Sequence, residues 1–183
     1  PFPLILLLFS VTAVINFTNF MDGLDGLVAG CMAVAISAVS ITQVASWPIW
    51  VLVGSLLGFL ILNWSPSKVF MGDVGSTFLG AVFAGLVLQS ATWPEALATL
   101  LIATPILADA GICVPRRVIA GQNVFEAHRL HLYQRLHQAG WSHANVSTLY
   151  IATTVILALA LLLSGLSAVL FLSCLVMITG VWL

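Results

Sequence analysis

Charged side chains are what this sequence has least of. Lys, Arg, Asp and Glu together make up 6% of its 183 residues, whereas apolar residues make up 61%. Such a composition leaves too few polar side chains to cover a water-soluble globular domain. The sequence therefore predicts an integral membrane protein.

Cysteine is also scarce, and its three copies, Cys31, Cys113 and Cys174, are far apart. Each lies within or beside an apolar run, without the close pairs typical of metal sites, so we interpret all three as small core residues. No basic stretch precedes the first apolar segment, so no signal peptide is predicted. The chain starts at Pro1 and ends inside an apolar run, and we expect it to be a fragment of a longer protein.

Long apolar segments recur along the whole chain. About 20 residues of helix cross the core of a bilayer. We therefore expect one all-α domain over residues 1–183, a polytopic transmembrane bundle of about seven spans. These spans are predicted at residues 3–20, 27–45, 48–63, 76–91, 96–114, 146–163 and 166–183.

The connections between the spans alternate between tight turns and polar loops. The polar loops cover about residues 20–26, 64–75 and 115–145, and an up-and-down chain brings all three to one face. The same face carries the five basic residues, Lys68, Arg116, Arg117, Arg129 and Arg135. Because positively charged loops stay on the cytoplasmic side, we expect a cytoplasmic site where a water-soluble reactant meets a lipid one.

The first polar loop belongs to the stretch N-F-T-N-F-M-D-G-L-D-G-L, residues 16–27. Asp22 and Asp25 are three residues apart, so on a helical turn they would share a face. The glycine that follows each of them allows the backbone to approach a ligand closely. The alternative interpretation is an ordinary inter-helix turn with Asx-type capping.

The second polar loop places Asp73 between two glycines, just ahead of a predicted helix start at Ser76. A carboxylate beside exposed backbone N–H groups suits a magnesium-phosphate site, because the Asp binds the cation and the amides face phosphate oxygens. Plain N-capping by Ser76 or Asp73 is equally compatible with the pattern. Phe70 could stack on a base or anchor the loop at the membrane interface.

The third polar loop predicts an amphipathic helix at the membrane surface. His128, His131 and Arg135 share a helical face, while Leu132, Tyr133 and Leu136 would rest on the membrane. No Cys or Asp completes a zinc set with the histidines. The four arginines of this loop favour phosphate or headgroup binding, with a purely topological role as the alternative.

Two carboxylate loops and a basic loop on one membrane face indicate a metal-assisted reaction on a phosphate compound. A transporter would instead need ionisable groups near mid-span. Asp109 is the single candidate for that role, and it lies near the cytoplasmic end of the fifth predicted span.

The motifs N-x-x-N-x-x-D-G-L-D-G-L, N-W-x-P-x-x-V-F-M-G-D-V-G-S and H-R-x-H-L follow one another between apolar spans. In this order they resemble the polyprenyl-phosphate N-acetylhexosamine-1-phosphate transferases. The resemblance implies transfer of a sugar 1-phosphate from a UDP-sugar to undecaprenyl phosphate in the bacterial inner membrane, with release of UMP. The product would start a cell-surface glycan such as peptidoglycan or the O-antigen of lipopolysaccharide.

The resemblance also implies cofactors and partners. It implies Mg²⁺, or Mn²⁺ in its place, as cofactor, with the lipid bilayer and the two substrates as partners. A homodimer is compatible with it, and no nucleic acid polymer is expected.

Individual roles are implied in the same way. Asp73 and Asn16 would hold the metal. The catalytic candidates are Asp22, Asp25, Asp73 and His131. The substrate-binding candidates are Asn19, Asn63, Phe70, Arg129 and Arg135, the last because of its own charge in the basic loop.

Two departures from the family pattern limit what the resemblance implies. The third motif has His128, Tyr133 and Gln134 where the N-acetylglucosamine branch has Asp, His and His, so the sugar stays open. This variant looks more like relatives that initiate O-antigen or capsule. The family's Asp-Asp pair lies ahead of this chain, so we expect these residues alone to be inactive and the full protein to have about four more spans.

The CDP-alcohol phosphotransferases are excluded. Their run D-x-x-D-G-x-x-A-R is absent from this sequence, because no Arg follows Asp22 and Asp25. A transporter or a non-catalytic relative of the transferases remains the alternative function.

Overall fold

A computed structural model of the chain describes residues 2–119, 121 and 131–182, and the side chains of residues 4–119, 121 and 131–180. The sequence predictions for His128 and Arg129 concern residues outside this part. Within it the chain is helical, as predicted, and contains no strand. Its helices are α1 Phe2–Phe20, α2 Leu27–Thr42, α3 Trp47–Asn63, α4 Gly72–Leu88, α5 Trp93–Ile102, α6 Thr104–Ile119, α7 Leu132–Gln138, α8 His143–Ser164 and α9 Leu166–Trp182.

Helix α2 forms the centre of the bundle. It is apolar on every side, which is typical of a helix with no solvent-facing surface, and Leu27, Met32 and Ile36 are fully buried in it. It packs against α3, α4 and α8, while α1 packs against α4.

Two glycines allow the helices to approach closely. Gly30 of α2 lies against the Ile151 side chain of α8, and Gly80 of α4 lies against the Cα atom of Ile15 in α1. A Cβ atom at either glycine would enter the neighbouring helix. Small residues of this kind drive helix association where the surroundings are as apolar as the side chains.

The chain breaks between α5 and α6, which meet at 87°. Pro105 has no N–H to donate to the carbonyl of Leu101 four residues earlier. That carbonyl instead accepts hydrogen bonds from Thr104 Oγ1 at 2.6 Å and from Ser173 Oγ of α9 at 3.5 Å. The prediction of one continuous span over residues 96–114 is therefore wrong.

The predicted number of seven spans is not confirmed. Among the described helices, α8 is the one that is long and apolar enough to cross a bilayer, and the bent α5–α6 pair would be a second span if counted as one. Helices α2 and α4 end at Thr42 and Leu88, each three residues short of its predicted end. Five apolar segments are shorter than 18 residues: Leu4–Phe20, Leu27–Thr42, Trp47–Asn63, Gly72–Leu88 and Leu166–Gly180.

Replacing Thr104 by Val should destabilise the protein by about 1 kcal/mol, because the partly buried carbonyl of Leu101 loses its shorter hydrogen bond. The thermal unfolding midpoint in detergent measures this change. Thr179→Val is the matched control, since its hydroxyl bonds only carbonyls of its own helix and is exposed. Equal midpoints for the two variants would contradict the role given to Thr104.

Candidate active site

The three polar loops meet at one end of the bundle, as the sequence predicts. Asn63, at the end of α3, is 6% exposed and ties the first loop to the second. Its Oδ1 accepts from the backbone N–H of Gly26 at 3.0 Å, and its Nδ2 donates to the carbonyl of Val69 at 2.8 Å. Both ends of the amide are thus used within the protein, and a substrate contact for Asn63 stays a prediction.

Asp25 connects the first loop to the second loop and to α8. Its carboxylate accepts from Ser67 Oγ at 2.8 Å and from Ser67 N–H at 3.3 Å, and it pairs with His143 Nδ1 at 3.2 Å. Its carbonyl accepts from Ser147 Oγ at 2.7 Å. Burial acts to raise the pKa of Asp25, but the hydrogen bonds from Ser67 and the pairing with His143 outweigh it, so the pKa lies below its ordinary value.

Asp22 has different neighbours from Asp25. It is half-buried, and its pKa is raised to about 6, first by burial and then by the nearby charge of Asp73. The expectation that Asp22 and Asp25 share a helical face is wrong. The segment turns tightly, with Gly23 N–H donating to the carbonyl of Met21, and Gly26 adopts the left-handed φ of 75°.

Asp73 lies within the first turn of α4, because this helix starts at Gly72 and not at Ser76 as predicted. Its side chain is exposed. The alternative of plain N-capping is wrong, since no side chain caps α4. Ser76 Oγ instead donates to Asn19 Oδ1 of α1 at 2.6 Å, which places Asn19 beside the turn that carries Asp73.

Asn16 and Phe70 lie at the edge of this group. Asn16 is exposed on α1, one turn before Asn19, and its Nδ2 donates to the carbonyl of Thr12 at 3.0 Å. Phe70 is 76% exposed on the second loop. Their roles toward metal and base stay predictions, and so does the role of Arg129, which lies outside the described residues.

The third loop differs from its prediction. Helix α7 begins at Leu132, and His131 precedes it in an extended conformation, so His131 and Arg135 do not share a helical face. The His131 side chain is 6% exposed, with Nδ1 3.8 Å from Asp109 Oδ1. Tyr133 is 2% exposed and does not rest on the membrane surface as predicted, because the protein itself supplies its partners. Arg135 is half-buried in the last turn of α7.

Tyr133 and Asp109 contribute to the site although the sequence did not assign them to it. The Tyr133 hydroxyl donates to the carbonyl of Phe20 at 3.1 Å, and its ring covers Gly23 beside Asp22. Asp109 accepts from the backbone N–H of Leu132 at 2.7 Å and of Tyr133 at 3.1 Å. A carboxylate within an apolar helix needs such donors. The presence of Asp109 in an apolar segment is therefore the feature of the sequence that could have assigned it to the site.

The site suits a hard cation better than zinc. No three His, Cys, Asp or Glu side chains converge among the residues that the structure describes. Mg²⁺ needs only one or two carboxylates, because substrate phosphates and water complete its shell. The charge of Asp73 contributes, after burial, to the raised pKa of Asp22, so the two carboxylates lie within electrostatic reach of each other, which fits this requirement.

Residues 1–91 match the model of a family described as glycosyl transferase family 4. Among curated relatives, the chain is 30% identical over 144 residues to a probable undecaprenyl-phosphate N-acetylglucosaminyl 1-phosphate transferase of Bacillus subtilis. It is 35% identical over 173 residues to a decaprenyl-phosphate N-acetylglucosaminephosphotransferase of Mycobacterium leprae. It is also 35% identical over 164 residues to a phospho-N-acetylmuramoyl-pentapeptide-transferase of Bacillus mycoides.

These similarities cover 73%, 78% and 84% of this chain, respectively. They cover 40%, 43% and 49% of the relatives. The chain therefore spans less than half the length of each of these relatives.

Replacing Asp73 by Asn should lower the pKa of Asp22 from about 6 without restoring its ordinary value, because burial, the larger cause, remains. A raised pKa stabilises the fold most below the unfolded value of 3.8, and this contribution is lost as the pH rises through about 6. The loss should therefore be complete at a lower pH in the variant, while its start near the unfolded value is unchanged. Infrared titration of the carboxyl band, with a metal chelator present, measures the pKa, and an unchanged value would refute the pairing. Glu95→Gln, at the start of α5, is the control.

Replacing Gly23 by Ala should destabilise the protein by about 1–3 kcal/mol, because the new methyl group would collide with the Tyr133 hydroxyl and ring. Adding Tyr133→Phe should recover part of the loss, since the hydroxyl oxygen is the nearest atom. Thermal unfolding in detergent checks both. Gly54→Ala on α3 is the control, because its Cβ meets open space. A midpoint for Gly23→Ala as high as that of the control would contradict the contact.

Proposed function

Because the chain belongs to glycosyl transferase family 4, we propose that the protein transfers a sugar 1-phosphate from a UDP-sugar to undecaprenyl phosphate. The products are UMP and a lipid-pyrophosphate-linked sugar that starts a bacterial cell-surface glycan. The names of the relatives support this reaction class. Two of them name undecaprenyl or decaprenyl phosphate, and the third names a phospho-N-acetylmuramoyl-pentapeptide. The proposed donor is a UDP-N-acetylhexosamine or a derivative.

One observation carries the proposal. The half-buried carboxylate of Asp22 and the exposed carboxylate of Asp73 both lie where the three polar loops meet, and the charge of Asp73 adds to burial in raising the pKa of Asp22 to about 6. Two like charges near each other cost free energy, and a bound cation or a proton offsets that cost. A magnesium-bound pyrophosphate would supply that compensation.

In this reaction an oxygen of the prenyl phosphate attacks the sugar-side phosphorus of the donor, and the bond from that phosphorus to UMP breaks. Asp73 and Asn16 would hold Mg²⁺, with Asp22 as the second carboxylate. When bound, the cation neutralises the pyrophosphate and stabilises departing UMP. Asn19 accepts a hydrogen bond from Ser76 Oγ, which places it beside the turn of α4 that carries Asp73.

The remaining residues bind substrate in this proposal. Phe70 is exposed and free to stack on uracil, and Arg135 holds phosphate charge. Asp25 keeps the loops in register through Ser67 and His143. We place the site at the cytoplasmic face of the inner membrane, because the basic residues accompany the polar loops.

The test uses membranes containing the full-length protein, undecaprenyl phosphate, Mg²⁺ and a panel of UDP-N-acetylhexosamines, with UMP release as the readout. Wild type should release UMP with one donor, which identifies the sugar. Asp73→Asn should reduce the rate by about 100-fold or more, because a charge that stabilises the transition state is lost.

Glu95→Gln is the matched control, since this carboxylate bonds the backbone N–H of Ala91 at the tight turn between α4 and α5. It should release UMP at the wild-type rate. Folded protein that releases no UMP with any donor, or an Asp73→Asn variant as active as the control, would overturn the proposal.

A further inference from the structure

Asp109 lies in α6, beyond the break in the α5–α6 pair, and belongs to none of the three motifs. Its side chain is 6% exposed. Both carboxylate oxygens are hydrogen-bonded: Oδ1 accepts from Leu132 N–H at 2.7 Å, and Oδ2 accepts from Tyr133 N–H at 3.1 Å and from Tyr150 OH at 2.7 Å. A carboxylate removed from water is tolerated when donors surround it in this way.

These bonds join three elements that are distant in the sequence. Asp109 is in α6, its two backbone donors open α7, and Tyr150 is in α8. The Asp109 carboxylate therefore holds the first turn of α7 to α6 and α8. His131, which precedes α7, is held beside the same carboxylate, with Nδ1 3.8 Å from Oδ1.

The residue held most directly, Tyr133, reaches the first loop. Its hydroxyl donates to the carbonyl of Phe20 at 3.1 Å and accepts from Gln134 Nε2 at 3.0 Å. Its ring covers Gly23, where a Cβ atom has no room. Phe20 and Gly23 flank Met21 and Asp22, so the position of Tyr133 limits where the Asp22 loop can lie.

We propose that Asp109 is a positioning residue: it fixes α7 against α6 and α8, and through Tyr133 it sets the position of the Asp22 loop. Its role in turnover rests on the proposed function, whereas its role in holding the loop does not. Asp109 makes no contact with Asp22 or Asp73 in the described part of the chain. It therefore acts through α7 and not on the reacting atoms.

The substitution Asp109→Asn tests this proposal at nearly constant shape. An amide offers one acceptor oxygen, so it must turn an NH₂ group toward either Leu132 N–H or Tyr133 N–H and lose that bond. We expect kcat for UMP release to fall about tenfold to a hundredfold, as misplacement of a reacting group does. The KM for the UDP-sugar should change less than kcat. Tyr150→Phe keeps both backbone bonds and should cost less.

A double-mutant cycle separates positioning from general damage. If Asp109 acts through Tyr133, the loss in kcat for Asp109→Asn with Tyr133→Phe should be smaller than the product of the two single losses. The control cycle pairs Asp109→Asn with Ser67→Ala, whose hydroxyl bonds Asp25, and its losses should multiply. Multiplied losses in both cycles, or a change confined to KM, would overturn the proposal.

Hydrogen exchange of the full-length protein provides a readout that does not depend on activity. In Asp109→Asn, the amides of residues 131–138 and of the first loop, residues 20–26, should exchange faster than in wild type. In Tyr133→Phe, only the first loop should do so. Unchanged exchange in Asp109→Asn would overturn the proposal even in an active enzyme. If wild type releases no UMP but Asp109→Asn still shows the faster exchange, the proposed function is refuted and the positioning role stays supported.

Discussion

The hydrogen-bonded carboxylate of Asp25 is the interaction on which the polar end of the bundle depends. It joins Ser67 of the second loop, His143 at the start of α8 and its own first loop. In an apolar bundle an unpaired carboxylate would be costly, so the first loop can adopt its turn only where these partners are present. Helix packing brings the three segments near one another, and Asp25 sets their register.

A second carboxylate repeats this arrangement from another side of the site. Asp109 holds α7 in place, just as Asp25 holds the second loop and α8. In both cases backbone N–H groups are among the hydrogen-bond donors to the carboxylate. Within the described part of the chain, the exposed carboxylate of Asp73 and the half-buried one of Asp22 lack this degree of internal pairing. The division separates the aspartates that hold the loops, Asp25 and Asp109, from the aspartates that would face the substrate in the proposed function, Asp22 and Asp73.

The sequence predicted the helices and the meeting of the three loops, because alternating tight turns and polar loops leave few other arrangements. It did not predict the break at Thr104, since Pro105 is compatible with either a kinked or a broken helix until Ser173 is near enough to bond the Leu101 carbonyl. It also did not predict that Asp22 and Asp25 have different neighbours and do not share a helical face. Spacing describes a helical turn, whereas the left-handed conformation of Gly26 and the distant partners of Asp25 decide the real geometry. The burial of His131 and Tyr133 likewise depends on Asp109, more than 20 residues earlier, which no local pattern reveals.

Because the pKa values of Asp22 and Asp25 are shifted in opposite directions, the two carboxylates are protonated in a defined order as the pH falls. Asp22 takes up a proton near pH 6, when Asp25 is still ionised and holds Ser67. The stabilising contribution of Asp25 is present above its unfolded pKa and is lost only as the pH falls through its lowered folded value. Mild acidification should thus protonate Asp22 and weaken its proposed role in cation binding, while the hydrogen bonds of Asp25 keep the loops together. Neutralisation should restore the ionised Asp22 without any refolding.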